Sequence, residues 1–435
     1  MIQSALFQTL SLCLLATAFS DDVLRSRKPE VVERDVCIIG GGSSGTYSAI
    51  RLQQMNKTFA LIEREDRLGG HVDTYVDPVT KQTLDYGVVV WADFAHVSKV
   101  PPDALTPGNI TAGFASYLAQ LAKYPYLTNG FNLPNPVPED LLLAWGDFIR
   151  KYDLGAIAIA VYSYNQGMGN ILAQPTLYVL KYFTTSTAIG AFTGGFVTTA
   201  SHNNQALYDR ALERLGSSAL TSTHVINIKR DRKGVEVLTS GPNGLKLIRA
   251  RKLLITIPPK LANLKFLDTD PVERAIFGQF NSSYYWNSII KESEIPDNTS
   301  ITNVDVAAPY GIPALPGPYG LGYTGVPGLH TVYYSSPYPI SDEAVKSDII
   351  AKHAELVELF GYGPATTTPK FVGFQGHNPY ELTVSADAIR SGFYGKLESL
   401  QGRRRTWWTG AAWQTQDSSA IWNFTETVVL PQLCQ

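Results

Sequence analysis

Cysteine is scarce in this chain of 435 residues, which contains only Cys13, Cys37 and Cys434. This scarcity excludes a small fold held together by disulfides. We expect no disulfide between Cys37 and Cys434, because Cys37 lies in an apolar run typical of a buried strand and Cys434 lies at the extreme C-terminus. No cysteine or histidine spacing resembles a zinc ligand set, so the sequence predicts no metal site.

Charge is also sparse, and it is nearly balanced. Charged residues make up 17% of the chain and the formal net charge is −2, which gives no basis for a nucleic-acid or anionic-membrane partner. The hydrophobic fraction of 44% is that of an ordinary globular protein. Beyond the N-terminal segment no uninterrupted apolar run is long enough to span a bilayer, so we expect no stable membrane span.

Residues 1–20 are typical of a secretory signal peptide. Residues 10–18 form an apolar core that ends in small residues, although no Lys or Arg precedes it. The short core, and the polar residues before it, favour a cleaved signal over an uncleaved anchor. We therefore expect the mature protein to be secreted or to lie in the lumen of the secretory pathway. Among the N-x-S/T sequons, Asn109 and Asn298 are the expected glycosylation sites.

A glycine turn separates an apolar run from a helix-like stretch in residues 36–52, with the motif Gly40-x-Gly42-x-x-Gly45. Gly40 permits the turn, Gly42 lets the backbone approach phosphates, and Gly45 lets the helix and strand pack closely. The turn, which includes Ser44, directs bare backbone N–H groups and the positive end of a helix dipole towards a pyrophosphate. These residues are therefore predicted to bind a dinucleotide, rather than to form a purely structural turn.

An acidic residue ends the next predicted strand, at residues 59–63. Glu63 follows Gly40 by 23 positions, which is the reach expected for a carboxylate that accepts hydrogen bonds from ribose hydroxyls. The turn and this acid together are equally compatible with NAD and with FAD.

A second glycine element follows directly, in the run Arg67-Leu68-Gly69-Gly70-His71. The pair Gly69 and Gly70 indicates another close backbone approach, and Arg67 can supply charge to a phosphate. A nicotinamide dehydrogenase has no need of this element, whereas a longer cofactor that continues from the pyrophosphate towards a flavin does. The run therefore favours FAD.

The C-terminal run 405–422 predicts a strand, a glycine turn at Gly410 and then a helix. Asp417 or Ser418 is the expected N-cap, Ser419 lies in the first turn, and residues 420, 421, 424 and 428 form one apolar face.

These motifs resemble those of the flavin-dependent amine oxidase superfamily, in which the second glycine element has the form R-x-G-G-R. His71 replaces the usual second Arg, so a cationic contact is either lost or dependent on pH. The sequence motifs R-L-G-G-H-V-D-T-Y and T-G-A-A-W…D-S-S resemble those of the beta-cyclopiazonate dehydrogenase family of secreted fungal flavoproteins. The resemblance covers nearly the whole mature chain and is weakest where a substrate would bind.

The resemblance implies a bound FAD, held covalently or noncovalently. It implies that the backbone around Val225 reads the adenine, and that the helix beginning near Asp417, Ser418 and Ser419 points at the pyrimidine edge of the flavin, where its dipole stabilises the reduced form. It also implies oxidation of a small apolar molecule in secondary-metabolite biosynthesis, by hydride transfer to flavin N5, with coupled ring closure in some cases. Molecular oxygen would then reoxidise the flavin.

Segments with an α/β pattern alternate along the chain with segments of a different character. This alternation predicts an α/β fold, with a doubly wound Rossmann-type FAD domain and a discontinuous α+β substrate or cap domain. The FAD domain is expected at residues 34–95, 204–261 and 371–435, and the cap at residues 96–203 and 262–370.

Three other functions stay open at this point: a flavin amine oxidase acting on a small amine, an NAD-dependent dehydrogenase, and a flavoprotein that binds a metabolite without turnover. No Ser-His-Asp or Cys-His set is recognisable, so no catalytic residue is predicted. The remaining histidines, including His377, are expected to be structural.

Overall fold

A computed structural model of the protein describes residues 28–88, 91–92, 109–305, 307–363 and 366–435. The predicted signal segment and the predicted domain boundary at residues 95 and 96 lie outside the described residues. Short 3-10 turns and one π-helical turn, Thr425–Val429, occur beside the α-helices.

The strands are, in chain order, β1 Glu30–Ile39, β2 Phe59–Ile62, β3 Thr74–Val76, β4 Thr83–Asp85, β5 Trp91–Ala92, β6 Phe196–Val197, β7 Ala219–Leu220, β8 His224–Arg230, β9 Val235–Gly241, β10 Gly244–Ile255, β11 Asn281–Ser282, β12 Tyr284–Lys291, β13 Ile301–Thr302, β14 Gly317–Tyr323, β15 Leu329–Ser336, β16 Lys370–Gly376, β17 Leu382–Thr383 and β18 Thr406–Trp408. The helices are α1 Ser43–Gln54, α2 Ile110–Leu121, α3 Glu139–Leu142, α4 Trp145–Tyr152, α5 Ala158–Tyr164, α6 Thr176–Tyr182, α7 Thr185–Thr193, α8 Gln205–Leu215, α9 Pro271–Phe277, α10 Asp342–Leu359, α11 Ala386–Arg390, α12 Phe393–Glu398, α13 Ser418–Phe424 and α14 Leu430–Leu433.

The main sheet has the order β7-β2-β1-β10-β9-β8, and β18 lies beside the second half of β10. Strands β7, β2, β1, β10 and β18 run parallel, while β9 and β8 continue from β10 as an antiparallel meander. Parallel strands are buried on both faces, which is why their sequences are continuous apolar runs. Cys37, Ile38, Leu253 and Leu254 are each 0% exposed. The predicted Rossmann-type α/β fold is confirmed.

A second sheet is antiparallel, with the order β13-β14-β15-β12-β16. It packs against α10 around its own apolar cluster, which includes Trp286, Ile290, Val332 and Val345. One boundary differs from the expectation. The segment from residue 371 was assigned to the FAD domain, but β16 pairs with β12 in this second sheet and β17 pairs with β11. The apolar pattern of a single strand does not specify which sheet it joins, so only β18 from this segment joins the main sheet.

Residues 110–193 are mainly helical. Their large side chains, among them Tyr117, Trp145, Phe148 and Phe183, are fully buried in the same apolar cluster as the strands of the main sheet. Cys37 and Cys434 are free thiols. Within the described residues, no helix combines the length and the apolar character needed to cross a membrane.

A buried ion network joins three elements at one edge of the main sheet. The side chain of Arg230 in β8 is 0% exposed and donates to Glu273 of α9 at 2.7 and 2.8 Å and to Asp268 at 2.7 Å. It also donates to the hydroxyl of Thr406 in β18 at 3.1 Å. Because Glu273 is 1% exposed, removal of Arg230 would leave a buried carboxylate with only the more distant guanidinium of Arg404, at 3.8 Å, as a cationic partner.

We expect Arg230→Met to lower the free energy of unfolding by about 3–5 kcal/mol, since the buried carboxylate of Glu273 would lose both of its short hydrogen bonds to the guanidinium and keep only Arg404, at 3.8 Å, as a cationic partner. Arg249→Met is the matched control, because Arg249 pairs with Glu236 at 3.0 Å on the same sheet but both side chains are about half exposed. The control should cost less than about 1 kcal/mol. Urea unfolding monitored by tryptophan fluorescence measures the free energy of unfolding of both variants. Equal decreases in the two variants would contradict a special contribution of the buried Arg230 network to stability.

Candidate cofactor site

The glycine turn between β1 and α1 has the close packing that its sequence predicts. Gly40 has φ +101, a conformation that favours glycine, and a Cβ added at Gly45 would lie 1.9 Å from the carbonyl oxygen of Gly40. Gly42 is the N-cap of α1, and no side chain caps the helix there. The N–H groups of the first turn, which includes the buried Ser44, are therefore available to an anion.

Glu63 lies directly against this turn, at the end of β2. One of its carboxylate oxygens accepts a hydrogen bond from the N–H of Gly41 at 2.6 Å, and the other accepts from the N–H of Glu65 at 2.9 Å. The backbone N–H of Thr223 donates to the carbonyl of Glu63 at 2.9 Å, so the start of β8, with the half-buried Val225, lies beside the acid. The residues expected to hold ribose and adenine are thus neighbours.

The two glycine elements are in backbone contact. Gly42 and Gly69 form a parallel bridge, and the N–H of Gly69 donates to the carbonyl of Gly41 at 2.9 Å. A Cβ added at Gly70, where φ is +59, would lie 2.9 Å from Cα of Gly42. This cradle of bare backbone has the form that a dinucleotide pyrophosphate requires, so the residues present fit FAD.

Arg67 makes contacts within the protein that its position in the motif did not predict. Its guanidinium pairs with Asp73 at 2.5 Å and donates to the carbonyl of Val72 at 2.7 Å and to the side-chain oxygen of Gln205 at 2.9 Å. Asp73 is 6% exposed and needs a cationic partner, which explains why Arg67 turns inwards. Arg67 therefore holds the loop of residues 68–73 in place.

His71 is neutral near pH 7. Burial, reinforced by the positive charges of Arg64 and Arg67, lowers its pKa to about 4. The sequence left open whether this replacement of arginine loses a cationic contact or makes it dependent on pH, and the lowered pKa of His71 favours its loss at neutral pH.

A polar cluster behind His71 was not recognised from the sequence. The ring of His377 lies 4.5 Å from that of His71, and its Nε2 lies 3.8 Å from Asp73 and 3.2 Å from the amide nitrogen of Asn287. Burial raises the pKa of Asp73 to about 6, although Arg67 opposes the shift. No local signal joins His71 to His377, because about three hundred residues separate them in the chain.

The C-terminal motif lies against the turn between β1 and α1. Gly410 has φ +121, and a Cβ added to it would lie 3.4 Å from the carbonyl oxygen of Thr256 and 3.8 Å from the hydroxyl of Ser44. Helix α13 begins at Ser418, and the side chain of its N-cap, Asp417, accepts from the N–H of Ala420 at 3.1 Å. The hydroxyl of Ser43 in α1 donates to the hydroxyl of Ser418 at 2.9 Å.

The amino ends of α1 and α13 are consequently adjacent. Ser419 lies in the first turn of α13, beside Ser418. Two helix dipoles direct their positive ends towards the same region, and this favours negative charge there.

A cluster of partly accessible aromatic side chains lies next to His71 and comprises Tyr182, Tyr333 and Tyr380. The hydroxyls of Tyr182 and Tyr380 lie 3.0 Å apart, and the ring of Tyr285 lies 5.0 Å from that of Tyr380 and 6.5 Å from that of Tyr333. We call the space that His71 and these three partly accessible tyrosines border the aromatic chamber. The rings of His71 and Tyr380 lie 6.1 Å apart.

The chamber adjoins the C-terminal motif as well. The side-chain amide of Gln416 donates to the carbonyl of Tyr380 at 2.8 Å, next to Asp417 in the chain. Its walls thus come from the second glycine element, from α6, from β15 and from the segment that follows β16.

Comparison with known proteins places this architecture among flavoenzymes. The family model of the NAD(P)-binding Rossmann-like domain matches residues 38–100. The FAD-dependent oxidoreductase oblC of Cochliobolus heterostrophus is 38% identical over 93% of this chain and 92% of its own length. The beta-cyclopiazonate dehydrogenase of Aspergillus flavus is 33% identical over 92% of this chain and 93% of its own.

Solved structures share the fold at lower identity. A fatty acid isomerase of P. acnes that produces CLA has a TM-score of 0.74 and 21% identity, over 92% of this chain and 98% of the isomerase. Putrescine oxidase bound to putrescine has a TM-score of 0.64 and 15% identity, over 93% and 100% respectively.

The cradle gives a prediction at Gly42. A Cβ added there would meet only Cα of Gly70, at 3.7 Å, so Gly42→Ala leaves the protein itself unstrained. The methyl group would nevertheless occupy the surface that the phosphates approach. We expect the dissociation constant for FAD, measured by quenching of flavin fluorescence on addition to apoprotein, to rise at least about tenfold.

Gly395→Ala is the matched control, because a Cβ at Gly395 in α12 would meet nothing within 4 Å. Both variants should stay folded, with free energies of unfolding within about 1 kcal/mol of the unmodified protein. Equal FAD affinity in Gly42→Ala and Gly395→Ala would show that the phosphates do not bind at this turn.

Proposed function

Because the chain belongs to the family of FAD-dependent oxidoreductases that includes beta-cyclopiazonate dehydrogenase, we propose that it oxidises a small, largely apolar metabolite by hydride transfer to flavin N5. The reaction belongs to secondary-metabolite biosynthesis, can include ring closure, and uses molecular oxygen as the final electron acceptor. The backbone contact between Gly42 and the pair Gly69 and Gly70 carries this proposal, since a second close approach suits a cofactor that continues beyond its pyrophosphate.

The residues predicted from the sequence give FAD an ordered path. Glu63 would bind the ribose, with the backbone near Val225 at the adenine. Gly40, Gly42, Ser44 and Gly45, together with Gly69 and Gly70, would surround the pyrophosphate, and the region of Gly410, Asp417, Ser418 and Ser419 would meet the pyrimidine edge of the flavin. When bound, FAD supplies the hydride-accepting atom and the redox chemistry.

The protein contributes orientation and exclusion of water. The aromatic chamber would hold the substrate on the side of His71, because its walls are rings that pack against apolar molecules. With His71 neutral, no full positive charge from this residue would accompany the cofactor. The positive potential for a reduced, anionic flavin would come from the first turns of α1 and α13.

Absorption spectroscopy tests the proposal directly. We expect the purified protein to show the two visible bands of an oxidised flavin, and these bands to bleach when a true substrate is added without oxygen and to return when oxygen is admitted. Candidate substrates come from comparing the metabolites of a strain that lacks the protein with those of its parent. A metabolite that accumulates in the deletion strain and yet fails to bleach the flavin would indicate binding without turnover.

We propose in addition that the protein follows the secretory pathway. Asn109 and Asn298 have exposed side chains, as an attached glycan requires. Expression in a eukaryotic host should give protein in the medium that begins after residue 18 or residue 20 by mass spectrometry. Asn109→Gln and Asn298→Gln should each remove one glycosidase-sensitive mass increment, and an intracellular product that keeps residues 1–20 would contradict the proposal.

A further inference from the structure

Two tyrosines in the aromatic chamber share a hydrogen bond that leaves one hydrogen unused. The hydroxyls of Tyr182 and Tyr380 lie 3.0 Å apart, and either can be the donor. Neither hydroxyl has another hydrogen-bond partner within the part of the chain that the structure describes. One hydroxyl hydrogen therefore joins the pair, while the other remains free to donate to a molecule in the chamber.

The position of Tyr380 is fixed from several sides. Its N–H donates to the carbonyl of Ser283 at 3.0 Å and its carbonyl accepts from Gln416 at 2.8 Å. Gly167 lies against its ring, since a Cβ there would be 2.4 Å from a ring carbon, and the ring of Tyr285 is 5.0 Å away. A donor held in this way needs little reorganisation when a ligand binds.

The ionisable groups around the pair are neutral or paired near pH 7. Burial raises the pKa of both tyrosines, and His71 has its pKa lowered to about 4. Asp73, behind His71, is paired with Arg67. Burial also raises the pKa of Glu381, the residue next to Tyr380, although Lys181 opposes this.

We propose that the Tyr182–Tyr380 pair is the anchor for an oxygen atom of the substrate, so the substrate is an oxygen-bearing compound such as a phenol, an enol or a ketone. A donor whose own oxygen accepts a hydrogen bond from a neighbour is polarised and binds an anionic or carbonyl oxygen more strongly. Of the carboxyl groups described above, Asp73 is already paired with Arg67 and Glu381 has a pKa raised by burial, so this surrounding favours an oxygen atom over an ammonium group. The inference rests on the proposed function, because it takes the chamber as the substrate side of the flavin.

Binding of 4-nitrophenol to the FAD-loaded protein tests the anchor without requiring turnover. The absorption of the probe reports its ionisation, and perturbation of the flavin spectrum reports its binding. We expect 4-nitrophenol to bind as the phenolate, and 4-nitroanisole and benzylamine to bind at least about tenfold more weakly. Tyr182→Phe and Tyr380→Phe should each weaken 4-nitrophenol binding about tenfold, and the double variant should weaken it further.

Tyr394→Phe is the matched control. Tyr394 and Tyr178 form another buried hydroxyl pair, at 2.8 Å, but both side chains are only 2% exposed and their hydroxyls lie in the core. The Tyr394→Phe variant should bind 4-nitrophenol with the affinity of the unmodified protein. All variants should show an unchanged flavin spectrum, which indicates intact folding.

Two sets of results would overturn the anchor: no binding of 4-nitrophenol to the unmodified protein, or equal binding in Tyr182→Phe, Tyr380→Phe and Tyr394→Phe. Benzylamine binding more tightly than the phenol would overturn it too, and would restore the amine as substrate class. These outcomes are separate from failure of the proposed function, which would appear as absence of the flavin bands or of their bleaching. The anchor alone would be contradicted if the protein binds FAD and its flavin bleaches with substrate, but neither tyrosine substitution changes the affinity for 4-nitrophenol.

Discussion

Backbone-to-backbone contact between two glycine segments is the constraint on which the rest of this structure depends. Gly42 and Gly70 approach so closely that a Cβ on Gly70 would lie 2.9 Å from its partner's Cα. That approach requires α1 to start against β1, which Gly45 allows, and it requires the loop of residues 68–73 to be held down, which Arg67 and Asp73 achieve. The position of His71, and with it one wall of the aromatic chamber, follows from this contact.

The same constraint decides how the site handles negative charge. Arg67 is paired with Asp73 and burial keeps His71 neutral at pH 7, so neither side chain carries an unpaired positive charge. The amino ends of α1 and α13, joined through the hydroxyls of Ser43 and Ser418, are a source of positive potential at this place. Charge from a helix end is fixed in direction and does not titrate, so it acts alike on the phosphates and on an anionic flavin at any pH near neutrality.

The sequence predicted those parts of the site whose geometry is local. Gly40, Gly42 and Gly45 act within one turn, and Asp417 caps a helix that begins at the next residue, so a motif of about ten residues contains the whole interaction. The inward turn of Arg67 depends on Asp73, six residues away, and was missed because a motif does not show which acceptors are buried. The sequence did not predict the pairing of Tyr182 with Tyr380, because about two hundred positions separate the two residues. It also did not predict that β16 joins the second sheet, because this depends on the distant strand β12 with which β16 pairs.

Buried hydroxyls argue that the chamber was built for a polar partner as well as for apolar packing. Phenylalanine would fill nearly the same volume as tyrosine, while a buried hydroxyl costs free energy unless its hydrogen-bonding capacity is used. In the core, hydrogen bonds offset this cost for Tyr178, because its hydroxyl accepts from the N–H of Val384 at 2.8 Å and from the hydroxyl of Tyr394. Tyr182 and Tyr380 have only each other among the described residues, so the pair recovers its full hydrogen bonding when a substrate oxygen enters the chamber. Changes to α6 or to the segment after β16 would then alter which molecule is oxidised while leaving the glycine cradle intact.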